Sequence, residues 1–261
     1  MLAQGGQLLL EPDRFGNADS AVRIQDSSTY LAVPPVVYFT GGDFTVTAWV
    51  KVYAPIPYAR LFDFGNGEAN DNVQLSVSYG NDPETGSWLP PQLIIFNTNV
   101  AAGIQLSFPL PTQVWIHLAV SFSQQLASLY VNGLLVGTNQ FQHSPRNVQR
   151  TNCYFGKSSV NVDPYLNAAI DEVKFYSRAL TQSELVADMG SLPAVSSSTL
   201  SSLATSLAHY WPIKAGGDTS DYVAGADMTV QTELLQEEDR FGNPNGAIRV
   251  YNSTSYFTVP P

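Results

Sequence analysis

From Phe44 the chain reads F-T-V-T-A-W-V-K-V, which puts Phe44, Val46, Ala48, Val50 and Val52 on one side and Thr45, Thr47, Trp49 and Lys51 on the other. That period of two predicts a strand with one buried face. The alternation returns in V-Q-L-S-V-S-Y, where Val73, Leu75, Val77 and Tyr79 share a side. Further strands are expected in Q-L-I-I-F-N-T, in I-Q-L-S-F after a turn at Gly103, in W-I-H-L-A-V-S-F, in C-Y-F-G-K and in A-A-I-D-E-V-K-F-Y. Between L-A-S-L-Y-V and L-L-V-G-T stands Asn132-Gly133, the strongest type I′ hairpin signal in the chain. One helix is expected near residues 181–189: Thr181-Gln182-Ser183-Glu184 is a capping box, with Leu180, Leu185 and Val186 beside it and Gly190 as the stop. Roughly a dozen short strands separated by turn residues make this an all-β, two-sheet antiparallel sandwich.

One stretch occurs twice. Residues 13–35 read DRFGNADSAVRIQDSSTYLAVPP and residues 239–261 read DRFGNPNGAIRVYNSTSYFTVPP. Asp13 aligns with Asp239, Arg23 with Arg249, Tyr30 with Tyr256 and Pro35 with Pro261, at one constant offset without a gap. Each copy reads as turn, strand, turn, strand, and two prolines that cannot donate to a ladder. The chain therefore reads as one period of a tandem array plus the opening of the next unit. Nine of the sixteen residues from Ser191 to Ser206 are Ser or Thr, which marks a linker. The expected division is residues 1–190, a Ser/Thr-rich linker at 191–206, and the opening strands of the next unit at 207–261.

Composition narrows the function. With 44% hydrophobic and only 13% charged residues the 261-residue chain is a folded one. A formal net charge of −10 with 12 scattered Lys and Arg argues against nucleic acid, which needs clustered cations. No apolar run is long enough for membrane insertion, and MLAQGGQLLLEP has no basic start or apolar core of a signal peptide. Cys153 stands alone in the strand-like N-C-Y-F-G, so it is expected to be a buried, unpaired thiol.

Four motifs in order, T-V-T-A-W-V, W-I-H-L-A-V-S-F, L-Y-V-N-G and I-D-E-V-K-F-Y-S-R-A-L-T-Q-S-E-L, resemble the laminin-G-like, concanavalin A-like jelly roll. With A-H-Y-W-P-I and the second D-R-F-G-N segment, the resemblance covers nearly the whole chain. It implies two curved antiparallel sheets in an extracellular or cell-surface protein that binds glycans or other proteins. In that family an aromatic strand precedes D-R-F-G-N. Here it precedes only the second copy, as His209, Tyr210, Trp211, Pro212 and Ile213. The first unit thus needs a strand from elsewhere: this chain folding back, a neighbouring copy, or an upstream segment. Donation between copies would build a homo-oligomer or filament, an adhesive or structural assembly.

Catalytic residues are not expected. Glycosidases need paired carboxylates on one strand face, and no E-x-D-x-x-E spacing is present; Glu237-Glu238-Asp239 runs into a turn. His117 shares a side with Trp115 and Ala119 and reads as structural, while His143 and His209 have no companion nucleophile. No cofactor is required by any motif. By resemblance to calcium-binding relatives, Asp171, Asp218 and Asp221 are candidate Ca²⁺ ligands, and turn capping is the alternative for each. Trp88, Tyr58 and Tyr79 are the candidates for stacking on sugar rings. Asn252 of N-S-T is the candidate N-glycosylation site. Two functions remain open: a structural module assembling head to tail by strand complementation, and a calcium-dependent carbohydrate-binding module of a larger protein.

Overall fold

A computed structural model describes residues 9–25, 29–98 and 100–190, and the backbone of 2–4, 207–210, 229–230, 235–237, 247–249 and 257–258. It contains a seven-stranded and an eight-stranded antiparallel sheet. The smaller runs in the order β1 (Leu2–Gln4), β4 (Tyr30–Ala32), β13 (Asn152–Phe155), β6 (Arg60–Gly65), β7 (Val73–Ser76), β8 (Gln92–Asn97), β9 (Val100–Gln105). The larger runs β12 (Leu134–Gln140), β11 (Leu126–Val131), β10 (Trp115–Ser123), β5 (Phe44–Ala54), β14 (Asn167–Tyr176), β3 (Ala21–Ile24), β2 (Leu9–Glu11), with β15 (Leu207–Tyr210) also on β14.

The alternation read from the sequence decides which faces meet. Phe44, Val46, Ala48, Val50 and Val52 of β5 enter one core together with Leu31, Phe62, Phe64, Leu75, Leu93 and Phe155 of the smaller sheet. Phe64 stacks on Phe175 of the opposite sheet with ring centroids 5.4 Å apart. Each such buried ring contributes about 1.5–3 kcal/mol through removal from water. Cys153 is part of this core, and burial pushes its thiol up to about 12. It is an unreactive packing residue.

Several local expectations hold. Asn132 and Gly133 both have positive φ (50° and 74°), as a type I′ turn requires. The helix α1 (Gln182–Asp188) starts on the reciprocal capping box of Thr181 and Glu184, and Arg178 clamps Glu184 from the side. Two expectations fail. Gly103 is not a turn: β9 runs unbroken from Val100, and the reversal comes earlier, near Thr98. A Cβ at Gly103 would sit 3.2 Å from the Leu93 carbonyl oxygen, so the glycine permits close strand approach. Tyr79 does not follow Val73, Leu75 and Val77 into the core: regular β7 ends at Ser76, and beyond it the Tyr79 ring is part-exposed beside Tyr58.

The helix lies on the outer face of the larger sheet, where Leu180, Leu185 and Ala187 pack on Ala119 and Tyr176. Its last residue, Asp188, is buried and accepts hydrogen bonds from Thr47 (2.8 Å), Lys174 (3.0 Å) and the Tyr176 hydroxyl. His117 Nε2 lies 3.5 Å away. Burial alone would raise this carboxyl, but His117, Lys174 and Tyr176 together hold it well below the usual carboxylate range.

β14 is flanked along its length by β5, while its other edge is shared. β3 pairs with Ala168–Ile170, and β15 pairs with Lys174, Phe175 and Tyr176 through Tyr210, His209 and Leu207. The chain thus folds back so that Leu207–Tyr210 lies on the part of that edge beyond β3. Trp211, Pro212, Ile213 and the linker at 191–206 lie outside the described residues. In the second copy β16 (Thr229–Val230) pairs with β19 (Phe257–Thr258), and β17 (Leu235–Glu237) with β18 (Ala247–Arg249). The first copy pairs Leu9↔Arg23 and Glu11↔Ala21; the second pairs Leu235↔Arg249 and Glu237↔Ala247, the same register at the repeat offset.

Removing Asp188 takes the nearer of two carboxylates from Lys174, leaving Glu172 at 3.5 Å, and deprives Thr47 and Tyr176 of that acceptor, so Asp188→Ala is expected to lower the unfolding free energy by about 3 kcal/mol in urea titration. Because this carboxyl is depressed in the fold, its contribution is present above about pH 4 and lost as pH falls below it. The acid limb of the wild-type stability curve should therefore flatten in the variant.

Candidate functional site

The D-R-F-G-N segment explains itself once folded. Asp13 Oδ1 accepts from the backbone N–H groups of Phe15 and Asn17 at 2.9 and 3.0 Å, and Asn17 Nδ2 donates to Asp13 Oδ2. This turn aims Arg14 at β14, where it lies 3.2 Å from Glu172 and 3.8 Å from Asp171. Its guanidinium sits between the rings of Phe15 and Trp49, 4.2 and 4.4 Å from their centroids. The spot is a bulge: Glu172 has φ 47°, and the β5–β14 register shifts between Asp171 and Lys174. Asp171 is therefore placed beneath an arginine, with Glu172 N donating to its Oδ1 at 2.8 Å. Burial, and then the neighbouring Glu172, push its carboxyl up to about 7. Among the described residues no group of three or more His, Cys, Asp or Glu is placed to hold a metal. Asp218 and Asp221, the other calcium candidates, lie outside the described residues, as does Asn252.

The sugar-stacking candidates come together in part. Tyr58 and Tyr79 meet edge to face with centroids 5.7 Å apart, at the Arg60 end of β6. Arg60 donates to the Tyr58 carbonyl oxygen, and Tyr58 N donates to Ser78 O. Tyr58 itself is held at φ 63°, a strained setting for a bulky residue. Trp88 pairs with Asn81 across a small hairpin that continues β7. Tyr79 belongs to the same hairpin, its N–H donating to the Pro90 carbonyl oxygen at 3.1 Å. Tyr58, Tyr79 and Trp88 are 43%, 38% and 41% exposed, half in solvent and half packed.

A second aromatic group on the same sheet was invisible in the sequence. Leu31 and Phe155 turn into the core, so their neighbours Tyr30 and Tyr154 face outward from the smaller sheet. Tyr30 meets Tyr154 at 5.4 Å and 89°, and Tyr165 at 5.9 Å and 58°. Lys157 Nζ lies over both Tyr30 (4.5 Å) and Tyr154 (4.9 Å). Lys157 and Tyr165 stand at the two ends of one closed loop, because Leu166 N donates to Gly156 O at 2.9 Å. Arg60 anchors this loop at Asp163 (3.0 Å), and buried Asp63 accepts from Ser159 N and Asn72. Desolvation keeps the Asp63 carboxyl above its ordinary value.

Two of the histidines are placed by local packing and hydrogen bonding. His117 is 1% exposed beside Trp49 and Asp188, and His143 Nε2 is 3.1 Å from the Ile95 carbonyl oxygen.

This architecture matches a known family model over residues 25–186, more than half of the chain: the concanavalin A-like lectin/glucanases superfamily, laminin-G type. The chain belongs to that superfamily. No curated protein matches it significantly. Among solved structures, this concanavalin A-like chain is similar to domain 4 of AbnA, an extracellular arabinanase from Geobacillus stearothermophilus, in complex with arabinotriose. The TM-score is 0.57 at 18% identity, over 72% of this chain and 86% of that one. It is also similar to the CBM40 domain of the Ruminococcus gnavus IT-sialidase bound to α2,3-sialyllactose, with TM-score 0.51 at 14% identity, over 70% and 98% of the two chains. A leech intramolecular trans-sialidase matches at TM-score 0.51 and 16% identity, over 68% of this chain and 28% of that one. These likenesses establish a concanavalin A-like β-sandwich whose structural neighbours include carbohydrate-binding modules. Among the described residues no helix is long and apolar enough to cross a membrane.

The loop that carries Lys157 and Tyr165 depends on Gly156, which has φ 81° and whose added Cβ would lie 2.4 Å from Ile24 Cδ1. Gly156→Ala is expected to cost about 1–3 kcal/mol, read as a lowered Tm together with altered tyrosine near-UV circular dichroism.

Proposed function

We propose that the chain is a non-catalytic glycan-binding module of an extracellular or cell-surface protein. The observation that carries this reading is the set of half-exposed aromatic rings held in fixed positions on and beside the smaller sheet, foremost the Tyr58–Tyr79 pair with Trp88 on the adjoining hairpin. Fully buried rings only pack, and fully exposed ones cost ordering entropy on binding. Rings pinned by neighbours and open on one side are suited to stacking against sugars. The arabinotriose and sialyllactose complexes of the structural neighbours support the same reading by analogy.

Glycan-array screening followed by titration tests it. Wild-type protein is expected to bind at least one glycan class, and Trp88→Ala or Tyr58→Ala to weaken it by about fivefold or more, roughly 1 kcal/mol per lost stacking partner. An array without binders ends the proposal. In the direct form of this reading the rings do the work, so EDTA leaves affinity unchanged; a chelator-sensitive affinity indicates a calcium-assisted version.

A second reading rests on a different observation, the ladder of Leu207–Tyr210 on β14. A slot filled by the opening of the next copy is also a slot another molecule can fill, which would assemble copies into a filament or adhesive layer. Concentration-dependent association lost on deleting residues 207–261 supports that reading, and a monomer at all concentrations removes it.

A further inference from the structure

Of the nine Lys and Arg residues whose side chains are described, seven make ion pairs with carboxylates: Arg14, Arg23, Lys51, Arg60, Arg146, Lys174 and Arg178. Arg150 is buried and spent on backbone carbonyls of Asp71, Val148 and Arg146. Lys157 differs from all of them. Among the described residues its ammonium faces no carboxylate within ion-pair distance, only the faces of Tyr30 and Tyr154. In a chain of net charge −10 an unneutralised cation held over an aromatic corner is unusual. A cation–π contact leaves most of the ammonium's hydrogen-bonding capacity unused.

We propose that Tyr30, Tyr154, Tyr165 and Lys157 form a subsite for the carboxylated ring of an acidic glycan, a uronate or a sialate. The proposal rests on the glycan-binding reading and assigns it a ligand class. The carboxylate pairs with Lys157 Nζ in a charge-assisted contact. The apolar face of the sugar ring lies against a tyrosine, and the perpendicular meeting of Tyr30 and Tyr154 supplies a wall and a floor. The three phenols are half-buried and can exchange hydrogen bonds with ring hydroxyls. Burial, first, and the neighbouring tyrosines raise the Tyr30 and Tyr154 hydroxyls, so both stay neutral donors at physiological pH. The nearby negative group, Asp63, is fully buried and bonded to Ser159 N and Asn72, turned away from competition for Lys157. The loop is already closed by Leu166 N on Gly156 O and tied down by Arg60 on Asp163, so little ordering is left for binding.

Isothermal titration on the full chain tests this with paired probes that differ in one charge: trigalacturonate against its trimethyl ester, and sialyllactose against lactose. At least one acidic member is expected to bind roughly tenfold tighter than its neutral partner, with the preference shrinking as salt rises. Lys157→Gln should abolish the preference by weakening the acidic member, and Lys157→Glu should reverse it. Tyr154→Ala should weaken both members. Lys157 is only half-buried, so both charge variants are expected to keep the wild-type Tm, which is measured alongside. Equal binding of acidic and neutral probes, or an acid preference that survives Lys157→Gln, overturns the subsite while leaving a glycan-binding module in place. Absence of binding by every probe here and by every glycan on the array overturns both proposals together.

Discussion

A strand in the middle of a sheet must have its backbone groups satisfied along both edges, and β14 has no single neighbour long enough for one of them. β5 covers one side. The other is divided between β3 at Ala168–Ile170 and β15 at Lys174–Tyr176. Where the two partners change over, β14 bulges at Asp171 and Glu172, and Arg14 is driven into the gap from the preceding turn. A buried carboxyl beneath a guanidinium, itself clamped by two aromatic rings, is a costly arrangement. The guanidinium also reaches the Met189 carbonyl oxygen at 3.4 Å, which ties the turn to the end of α1. The repeated D-R-F-G-N segment is the sequence signature of that plug, and it reappears in the sequence at residues 239–243, between β17 and β18.

With the larger sheet committed to closing itself and to seating α1, the smaller sheet is left as the face available to a partner. Its inner side is the core of Phe62, Phe64, Leu93 and Phe155, and among the described residues its outward-facing Tyr30 and Tyr154 adjoin the loop from Gly156 to Leu166. The aromatic groups proposed to bind glycan lie around that loop: the Tyr58–Tyr79 pair at the Arg60 end, the tyrosine corner with Lys157 at the other. The carbohydrate-binding neighbours show the fold hosting this kind of function elsewhere, at identities too low to transfer residues.

Much of the architecture was legible in the chain because strands and caps are written locally. The alternation of β5, the Asn132-Gly133 turn and the Thr181–Glu184 box each specify their geometry within a few residues. Gly103 misled because a glycine in a strand looks like one in a turn until the neighbouring Leu93 carbonyl is known. Tyr79 misled because alternation says nothing of where a strand ends. Of the candidate site, Trp88 in its irregular loop, with Tyr58 and Tyr79 nearby in sequence, could be put forward from the chain alone. The Tyr30–Tyr154–Tyr165 corner could not, because β4, β13 and the loop after it become neighbours only through sheet order, and no spacing in one dimension encodes that.

The closure of the first sandwich by a segment from its own chain is the claim on which this account turns, and amide hydrogen exchange addresses it most directly. In dilute protein the backbone amides of Lys174–Tyr176 that face β15 should be strongly protected, together with their partners in Leu207–Tyr210, to a degree independent of concentration. Exchange at the rate of an open edge, or protection that appears only as concentration rises, would show that the slot is empty in the monomer and filled between molecules instead.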